Sequence, residues 1–147
     1  MSAAPPREPL VLVVDDDAGS RKAMALTLAT DGRRVEEFAD ADSALTRAID
    51  DPSVGLVVTD LKMPGKTGIE LASDLAAARP DVSVLLVTAF GDIDTLLKAK
   101  DLGTVDYVAK PVARDDLRLR ASAALGRARQ AGEIKQLRER LDKRYGF

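Results

Sequence analysis

The sequence contains no cysteine, no histidine and no tryptophan, and aromatic residues make up only 3% of it. The first two absences exclude disulfides, thiol nucleophiles, His-based catalytic triads and zinc sites of the Cys/His type. The shortage of aromatic residues argues against a stacking platform for single-stranded nucleic acid. No apolar run reaches the length of a membrane span, and the residues up to Pro9 lack the apolar core of a signal peptide. We therefore expect a cytoplasmic protein with no membrane contact.

The length and the charge distribution suggest one folded domain with an appendage. The chain has 147 residues, of which 46% are hydrophobic and 31% are charged, and its net charge is −2. The net charge is small because a basic part and an acidic part of the chain offset each other. The part from Arg114 onward carries 10 basic and 5 acidic residues, whereas the preceding part carries 12 basic and 19 acidic residues. The two parts are predicted to have different roles.

Five segments have the character of β-strands. Three of them are continuous apolar runs rich in β-branched residues, a pattern typical of strands buried on both faces of a sheet, and two are shorter. In chain order the segments are Leu10–Val14, Arg34–Phe38, Val54–Val58, Val82–Val87 and Asp106–Ala109.

Helical stretches separate these strands. Their apolar residues recur at helical spacing, which for example places Ile49 on the apolar face of the second stretch. Strands that alternate with helices predict βαβ units and a doubly wound parallel sheet. In that architecture the functional cleft lies at the carboxyl ends of the strands. The helical stretches are Ala18–Thr30, Ala41–Ile49, Gly68–Ala78 and Asp92–Leu102.

The C-terminal stretch has a helical pattern from Arg114 as far as Tyr145. About 32 helical residues would span roughly 48 Å, which is longer than a domain of this size needs. Ile134, Leu137 and Leu141 continue the apolar spacing of the docked part after a slip of one residue. We interpret the stretch as a docked helix that continues as an amphipathic extension. The alternative is a solvated surface helix.

Polar side chains stand at the carboxyl ends of four predicted strands. These ends share one edge of a parallel sheet, so the side chains are expected to converge. Carboxylates this close together need a cation to remain ionised, and oxygen ligands suit Mg²⁺. A divalent ion, an ammonium group and a hydroxyl around one carboxylate predict a site that stabilises a phosphoryl group. The side chains are Asp15, Asp16, Asp17, Asp60, Thr88 and Lys110.

Each of these residues also has an ordinary structural interpretation. Asp17 precedes a helix and could be its N-cap, with no role in the site. Asp60 could be a loop residue, Thr88 a hydroxyl at a strand end and Lys110 a solvated surface group. Their joint occurrence at four strand ends favours the site over four separate coincidences.

The motifs at these strand ends resemble those of receiver domains of bacterial two-component response regulators. They are Val13-Val14-Asp15-Asp16-Asp17, Thr59-Asp60-Leu61-Lys62-Met63-Pro64-Gly65 with Gly68, Val87-Thr88-Ala89-Phe90, and Asp106-Tyr107-Val108-Ala109-Lys110-Pro111. The resemblance implies a flavodoxin-like (βα)5 fold with strand order 2-1-3-4-5 and a cis peptide before Pro111. It assigns residues 9–124 to the receiver domain and residues 1–8 to a flexible N-terminus. Thr104 is a departure, since similar proteins often have alanine there.

The resemblance also implies chemical roles. Asp60 would be the phosphoacceptor and would attack the phosphohistidine of a sensor histidine kinase. Asp16 would hold Mg²⁺ directly and Asp15 through water, while Asp60 and the backbone carbonyl of Lys62 would complete the protein ligands. Lys110 would pair with the phosphoryl oxygens. Such a domain is no enzyme beyond catalysing its own phosphorylation and slow dephosphorylation.

A conformational switch is the second implication. Thr88 would move toward the phosphoryl group, and Tyr107 would follow from an exposed to a buried position. The phosphoryl group carries a charge of about −1.5 to −2 and three strong acceptor oxygens. The two side chains would couple that charge to the face formed by the fourth helix, the fifth strand and the fifth helix.

Residues 125–147 resemble, from Leu137 onward, the helical linker of NtrC-like enhancer-binding activators. This implies a coiled-coil-like linker, a homodimer built on Ile134, Leu137 and Leu141 together with the switch face, and an output domain beyond this chain that regulates transcription. DNA contact would belong to that output domain. The chain itself has no Gly-x-x-x-x-Gly-Lys motif and no helix-turn-helix pattern, and acids interrupt its basic tail.

The sequence is compatible with three other functions. The chain could be a stand-alone receiver that acts through protein–protein interaction. It could be an aspartyl-nucleophile phosphohydrolase similar to haloacid dehalogenases, but those enzymes carry a second Asp two residues after the nucleophile, where this chain has Lys62. It could bind a cofactor as flavodoxins do, but an Asp-rich first loop repels phosphate unless a metal intervenes.

Overall fold

The computed structural model describes residues 8–89 and 105–126. The elements are β1 (Leu10–Val14), α1 (Ala18–Thr30), β2 (Arg34–Phe38), α2 (Ala41–Asp50), β3 (Val54–Asp60), α3 (Gly68–Ala78), β4 (Ser83–Thr88) and β5 (Val105–Ala109). A helix over residues 114–126, called the last helix below, follows β5. The predicted helix Asp92–Leu102, the corner at Thr104 and the linker with Ile134, Leu137 and Leu141 lie outside the described residues.

The five strands form one parallel sheet in the order β2-β1-β3-β4-β5, which confirms the predicted fold class. The chain leaves β1 toward β2 on one side and returns to β3 on the other, so the strand order reverses between β1 and β3. Val14 pairs with Thr59 in that ladder. Asp15, which directly follows β1, and Asp60, the last residue of β3, therefore lie at the same level, beside the switch point where such folds bind ligands.

The sheet is covered on both faces, which explains its apolar runs. All five residues of β1 are buried. Leu12 and Val14 pack into a core with α2 and α3, whereas Val11 and Val13 pack into a second core with α1 and the last helix. Alternate residues of a strand point to opposite faces, so a strand between two helical layers needs an unbroken apolar sequence. The central strands thus form a rigid base for the loops at their carboxyl ends.

Two strands are longer at the carboxyl end than predicted. Asp60 and Thr88 are the last residues of β3 and β4, rather than residues that follow those strands. The ladder continues to the pair formed by Asp60 and Val87, so backbone hydrogen bonds hold the segment despite its polar side chains. The polar residues that mark the end of the apolar run therefore lie inside the strand.

Helix α2 departs from the predicted apolar face. Ile49 is 51% exposed, while the buried residues of this helix are Ala41, Ala44 and Ala48. Small side chains let α2 lie close to the sheet, and the larger Ile49 falls at the edge of that contact.

None of the described helices is long and apolar enough to cross a membrane.

Side-chain caps fix where the first three helices begin. Asp17 Oδ2 accepts from the backbone N–H of Ser20 at 2.8 Å at the start of α1. Thr67 and Glu70 form a reciprocal capping box at the start of α3. These caps set the lengths of the loops that follow β1 and β3, and both loops carry candidate site residues.

Candidate functional site

Three carboxylates converge at the carboxyl ends of β1 and β3. Asp15, Asp16 and Asp60 each offer an oxygen, and these oxygens lie within 4.8 Å of one another. Asp15 is fully buried and Asp60 is 7% exposed, whereas Asp16 is exposed. The predicted convergence is therefore present for these three residues. Asp17 does not belong to the group and serves as the cap of α1.

Asp15 is the most constrained of the three. Its Oδ1 accepts from the backbone N–H of Asp17 at 2.9 Å, but among the described residues no donor reaches its buried Oδ2. Burial raises the pKa of Asp15, and the negative charges of Asp60 and Asp16 raise it further, against the Asp17 N–H and the charge of Lys110. A buried carboxylate oxygen without a donor costs free energy unless a cation meets it.

Lys110 supplies the positive charge of the site. Its Nζ donates to Asp60 Oδ2 at 3.0 Å, and its backbone N–H donates to the carbonyl of Thr88 at 2.8 Å. Burial alone would lower the pKa of Lys110, but the hydrogen bond to Asp60 and the neighbouring carboxylate charges raise it above its usual value. The ammonium group is therefore charged throughout the neutral range. The peptide between Lys110 and Pro111 is cis, as the resemblance implied.

The charges of the site fit a hard divalent cation. Counted in their charged forms, three carboxylates and one ammonium group carry two net negative charges, which one divalent ion would balance. Carboxylate oxygens are the ligands that such ions prefer, and the buried Asp15 Oδ2 lacks a donor among the described residues. The backbone N–H of Lys62 lies 3.4 Å from Asp60 Oδ1, so the loop after β3 also approaches the acidic group. The acidic pocket could therefore hold a metal.

The loop after β3 is pressed against the backbone of Asp60. A Cβ placed on Gly68 would lie 2.3 Å from the carbonyl oxygen of Asp60, and the Gly68 N–H donates to the carbonyl of Leu61 at 3.0 Å. Lys66 bridges Asp42 on α2 and Asp74 on α3 and so ties the same loop to two helices. From the sequence, Gly68 is only part of a motif. The structure gives the physical reason for glycine at this position, which is the close approach of the Asp60 backbone.

Arg21 is a neighbour of the site that the sequence did not reveal. Its guanidinium donates to the backbone carbonyl of Asp15 at 2.8 Å and to Glu37 Oε1 on β2 at 3.3 Å. The only sequence signal is its place one helical turn after the cap Asp17, which directs a long side chain back toward the strand ends.

Thr88 and Tyr107 lie on neighbouring strands. Leu86 pairs with Tyr107 and Thr88 with Ala109, so Thr88 and Tyr107 are diagonal neighbours on one face of the sheet. Thr88 is buried and its hydroxyl donates to the carbonyl of Ala89 at 3.2 Å. Tyr107 is 44% exposed. The structure thus places the two residues of the predicted switch side by side, with the ring exposed.

Arg120 on the last helix contacts the exposed Tyr107 ring and two neighbouring carboxylates. Its guanidinium lies 5.4 Å from the centre of the Tyr107 ring, within the range of a cation–π contact. It also donates to Asp106 at 3.1 Å and to Asp116 at 3.0 Å. The last helix is therefore connected to β5 by charge as well as by packing.

Known proteins are similar to this chain in sequence and in fold. The family model of the response regulator receiver domain matches residues 11–122. The chain is 40% identical over 138 residues to the C4-dicarboxylate transport transcriptional regulatory protein DctD of Rhizobium meliloti, and the matched region covers 94% of this chain and 29% of that protein. It is 35% identical over 123 residues to the transcriptional regulatory protein FixJ of Bradyrhizobium diazoefficiens, and this match covers 84% of the chain and 60% of FixJ. The chain thus spans less than two thirds of the length of either relative.

Solved structures agree. The receiver domain of NtrX from Brucella abortus is 34% identical with a TM-score of 0.73, over 79% of this chain and 98% of that one. A response regulator receiver protein from Pseudomonas putida is 33% identical with a TM-score of 0.70, over 76% of this chain and 93% of that one. The chain therefore belongs to the response regulator receiver domains, the signalling domains of two-component systems.

Proposed function

We propose that this chain is a phosphorylation-controlled receiver in which Asp60 accepts a phosphoryl group from a sensor histidine kinase. One observation carries the proposal: Asp60 Oδ2 lies 3.0 Å from Lys110 Nζ, while an Asp60 oxygen lies within 4.8 Å of oxygens from Asp15 and Asp16. A carboxylate at the centre of such a group is flanked by the charges that phosphoryl transfer requires.

The chemistry is a displacement at phosphorus. An Asp60 carboxylate oxygen forms the new O–P bond while the P–N bond of the phosphohistidine breaks, and the imidazole leaves with the bonding electrons and takes up a proton. Lys110 is already within hydrogen-bonding distance of Asp60 and would offset charge on the phosphoryl oxygens. The position two residues after Asp60 is Lys62, which is no acid/base partner for turnover on free substrates.

Asp15, Asp16 and Asp60, with the backbone carbonyl of Lys62, would hold Mg²⁺. When bound, the ion supplies positive charge that neutralises the carboxylates and orients phosphoryl oxygens. The buried Asp15 Oδ2, which meets no donor in the described part of the chain, and the excess of two negative charges support this assignment.

Thr88 and Tyr107 would relay the phosphorylated state. The buried Thr88 hydroxyl would turn toward the phosphoryl oxygens, and the half-exposed ring of Tyr107 would follow inward. Their diagonal placement on β4 and β5 supports the coupling, because a side chain that moves on one strand changes the space available to its neighbour on the other.

We further propose that the domain controls a transcriptional output. Residues 9–124 would be the receiver after a flexible segment 1–8, and residues 125–147 would be a coiled-coil-like linker whose Ile134, Leu137 and Leu141 form a homodimer. The relatives DctD and FixJ are named as transcriptional regulatory proteins, and this chain spans 29% and 60% of their lengths. The output domain would contact DNA, and the whole protein would be cytoplasmic.

Phosphorylation of the intact chain by acetyl phosphate and Mg²⁺ tests the central proposal. Intact mass spectrometry is expected to show one added phosphoryl group, which is lost in Asp60→Asn. Asp115→Asn is the matched control, since the Asp115 side chain is fully exposed on the last helix. Addition of a chelator should also abolish the adduct. An adduct that persists in Asp60→Asn would refute the assignment of the phosphoacceptor.

The linker is tested separately by sedimentation velocity. Leu137→Glu combined with Leu141→Glu is expected to give a lighter species than the unaltered chain. Exchange of the neighbouring residues Arg138→Gln and Arg140→Gln is the control for charge, because it changes the net charge by the same two units. Equal sedimentation of the leucine variant and the unaltered chain would contradict a dimer built on these residues.

A further inference from the structure

We infer that Arg21 is a positioning residue for the divalent cation, an inference that rests on the proposed function of the acidic site. Arg21 lies one turn into α1, where its backbone N–H donates to the carbonyl of Asp17 at 3.0 Å. Its side chain turns back to the loop after β1 and donates to the carbonyl of Asp15 at 2.8 Å. The side chain is only 17% exposed, so the contact lies mostly within the protein.

The Asp15 carbonyl belongs to the peptide bond that joins Asp15 to Asp16. A peptide unit is planar, so a hydrogen bond to its oxygen also fixes the direction in which the chain enters Asp16. Asp15 is held at two further points, since its N–H donates to the carbonyl of Phe38 at 3.1 Å and its Oδ1 accepts from the Asp17 N–H. Asp16 is exposed, and its direction depends on this backbone. Arg21 therefore orients the one carboxylate that packing does not hold.

Glu37 in turn orients Arg21. The Arg21 Nε donates to Glu37 Oε1 at 3.3 Å, which directs the rest of the guanidinium toward the Asp15 carbonyl. This pair links β2, α1 and the loop after β1. Groups of this kind, which hold metal ligands without touching the metal, commonly change metal affinity by about 10- to 100-fold.

Charge and positioning predict opposite results for the loss of Arg21. A guanidinium beside three carboxylates repels a cation, so its removal would tighten cation binding if charge alone mattered. If Arg21 orients the ligands, its removal weakens binding despite the favourable change in charge. Lys22 gives the matched control, because it is the next residue of α1, carries the same charge and is exposed.

The experiment measures Mn²⁺ binding to the full chain by the loss of the EPR signal of the free aqueous ion. Arg21→Met is expected to raise the dissociation constant by about tenfold. Lys22→Met should leave the constant unchanged or lower it, and Arg21→Lys, which retains one donor, should restore part of the affinity. With saturating Mg²⁺, the rate of phosphorylation of Arg21→Met by acetyl phosphate should approach that of the unaltered chain.

A purely structural role would instead lower the rate even at saturating Mg²⁺ and would not be rescued by Arg21→Lys. A dissociation constant for Arg21→Met equal to or below that of Lys22→Met overturns the inference. If Arg21→Met does not fold, Glu37→Gln replaces it, and a constant unchanged from the unaltered chain is then the overturning result. If the unaltered chain does not bind Mn²⁺, or if Asp60→Asn binds Mn²⁺ as tightly as the unaltered chain, the proposed site itself is refuted.

Discussion

Replacement of Gly68 by alanine tests how tightly the loop after β3 is fitted to Asp60. The added Cβ would lie 2.3 Å from the Asp60 carbonyl oxygen and 3.1 Å from both the Asp60 carbonyl carbon and the Leu61 Cα, whereas ordinary contacts are 3.4–4 Å. All three atoms are backbone, so no flexible side chain can move aside. Either α3 must shift outward or the end of β3, with Asp60, must move by about 1 Å.

The expected loss of stability follows from two terms. Overpacking of a fitted site costs roughly 1–3 kcal/mol. The hydrogen bond from the Gly68 N–H to the Leu61 carbonyl is strained by the same shift, and a bond of this kind is worth about 0.5–1.5 kcal/mol. These terms sum to roughly 1.5–4.5 kcal/mol, and up to about 1 kcal/mol is recovered because alanine favours a helix more than glycine does. The free energy of unfolding of Gly68→Ala should therefore fall by roughly 1–4 kcal/mol, which leaves a typical domain of about 5–15 kcal/mol folded.

Gly19→Ala is the matched control, because Gly19 also lies in the first turn of a helix. Its added Cβ would meet Asp17 Oδ2 at 3.6 Å, an ordinary contact, and alanine favours helix by up to about 1 kcal/mol. Urea unfolding followed by circular dichroism compares the two variants, and acetyl phosphate labelling reports on Asp60. The reasoning is wrong if Gly68→Ala unfolds at the same or a higher urea concentration than the unaltered chain.

Three further variants probe other parts of the site. Asp15→Asn should stabilise the chain in the absence of divalent ions. The folded-state pKa of Asp15 is raised, so its charged form costs stability above that pKa, and urea midpoints should show the advantage of the variant shrinking as the pH falls through it. Thr67→Ala removes the capping box of α3 and should lower the free energy of unfolding by about 1 kcal/mol, measured in the same way. Arg120→Met removes a cation–π contact worth about 0.5–1 kcal/mol, so the fluorine resonance of 3-fluorotyrosine at Tyr107, made unique by Tyr145→Phe, should shift and narrow; an unchanged resonance would contradict the contact.

The sheet could be predicted because the apolar pattern of each central strand can be recognised within that strand alone. A strand covered on both faces has a nearly continuous apolar run, and Leu10–Val14 shows such a run without any knowledge of its neighbours. The convergence of Asp15, Asp60 and Lys110 followed from topology, since parallel strands end at one edge. For these parts of the molecule, sequence patterns a few residues long are enough to predict the structure.

The rest depends on contacts between distant segments. The need for glycine at position 68 arises from the carbonyl of Asp60, and no pattern around Gly68 encodes that distance. Ile49 has the spacing of a buried residue, yet the depth at which α2 lies on the sheet leaves it outside. The reach of Arg21 to the Asp15 carbonyl likewise depends on the angle between α1 and β1. Sequence patterns give the direction of a side chain, but only packing gives its partner.

The buried acidic group lowers the stability of the fold, and a bound cation would offset that loss. Asp15 lies buried with one oxygen that has no donor among the described residues, and its raised pKa means that ionisation opposes folding. A divalent ion at 100 times its dissociation constant would stabilise the folded state by about 2.7 kcal/mol. Phosphorylation of Asp60 would then replace a carboxylate with a group of charge about −2, so the site would demand the ion and Lys110 more strongly in the phosphorylated state. A site that is unfavourable when empty and increasingly favourable as it is filled can transfer that free energy to its surroundings. Thr88, which ends the strand beside β3, carries a buried hydroxyl through which the site would act.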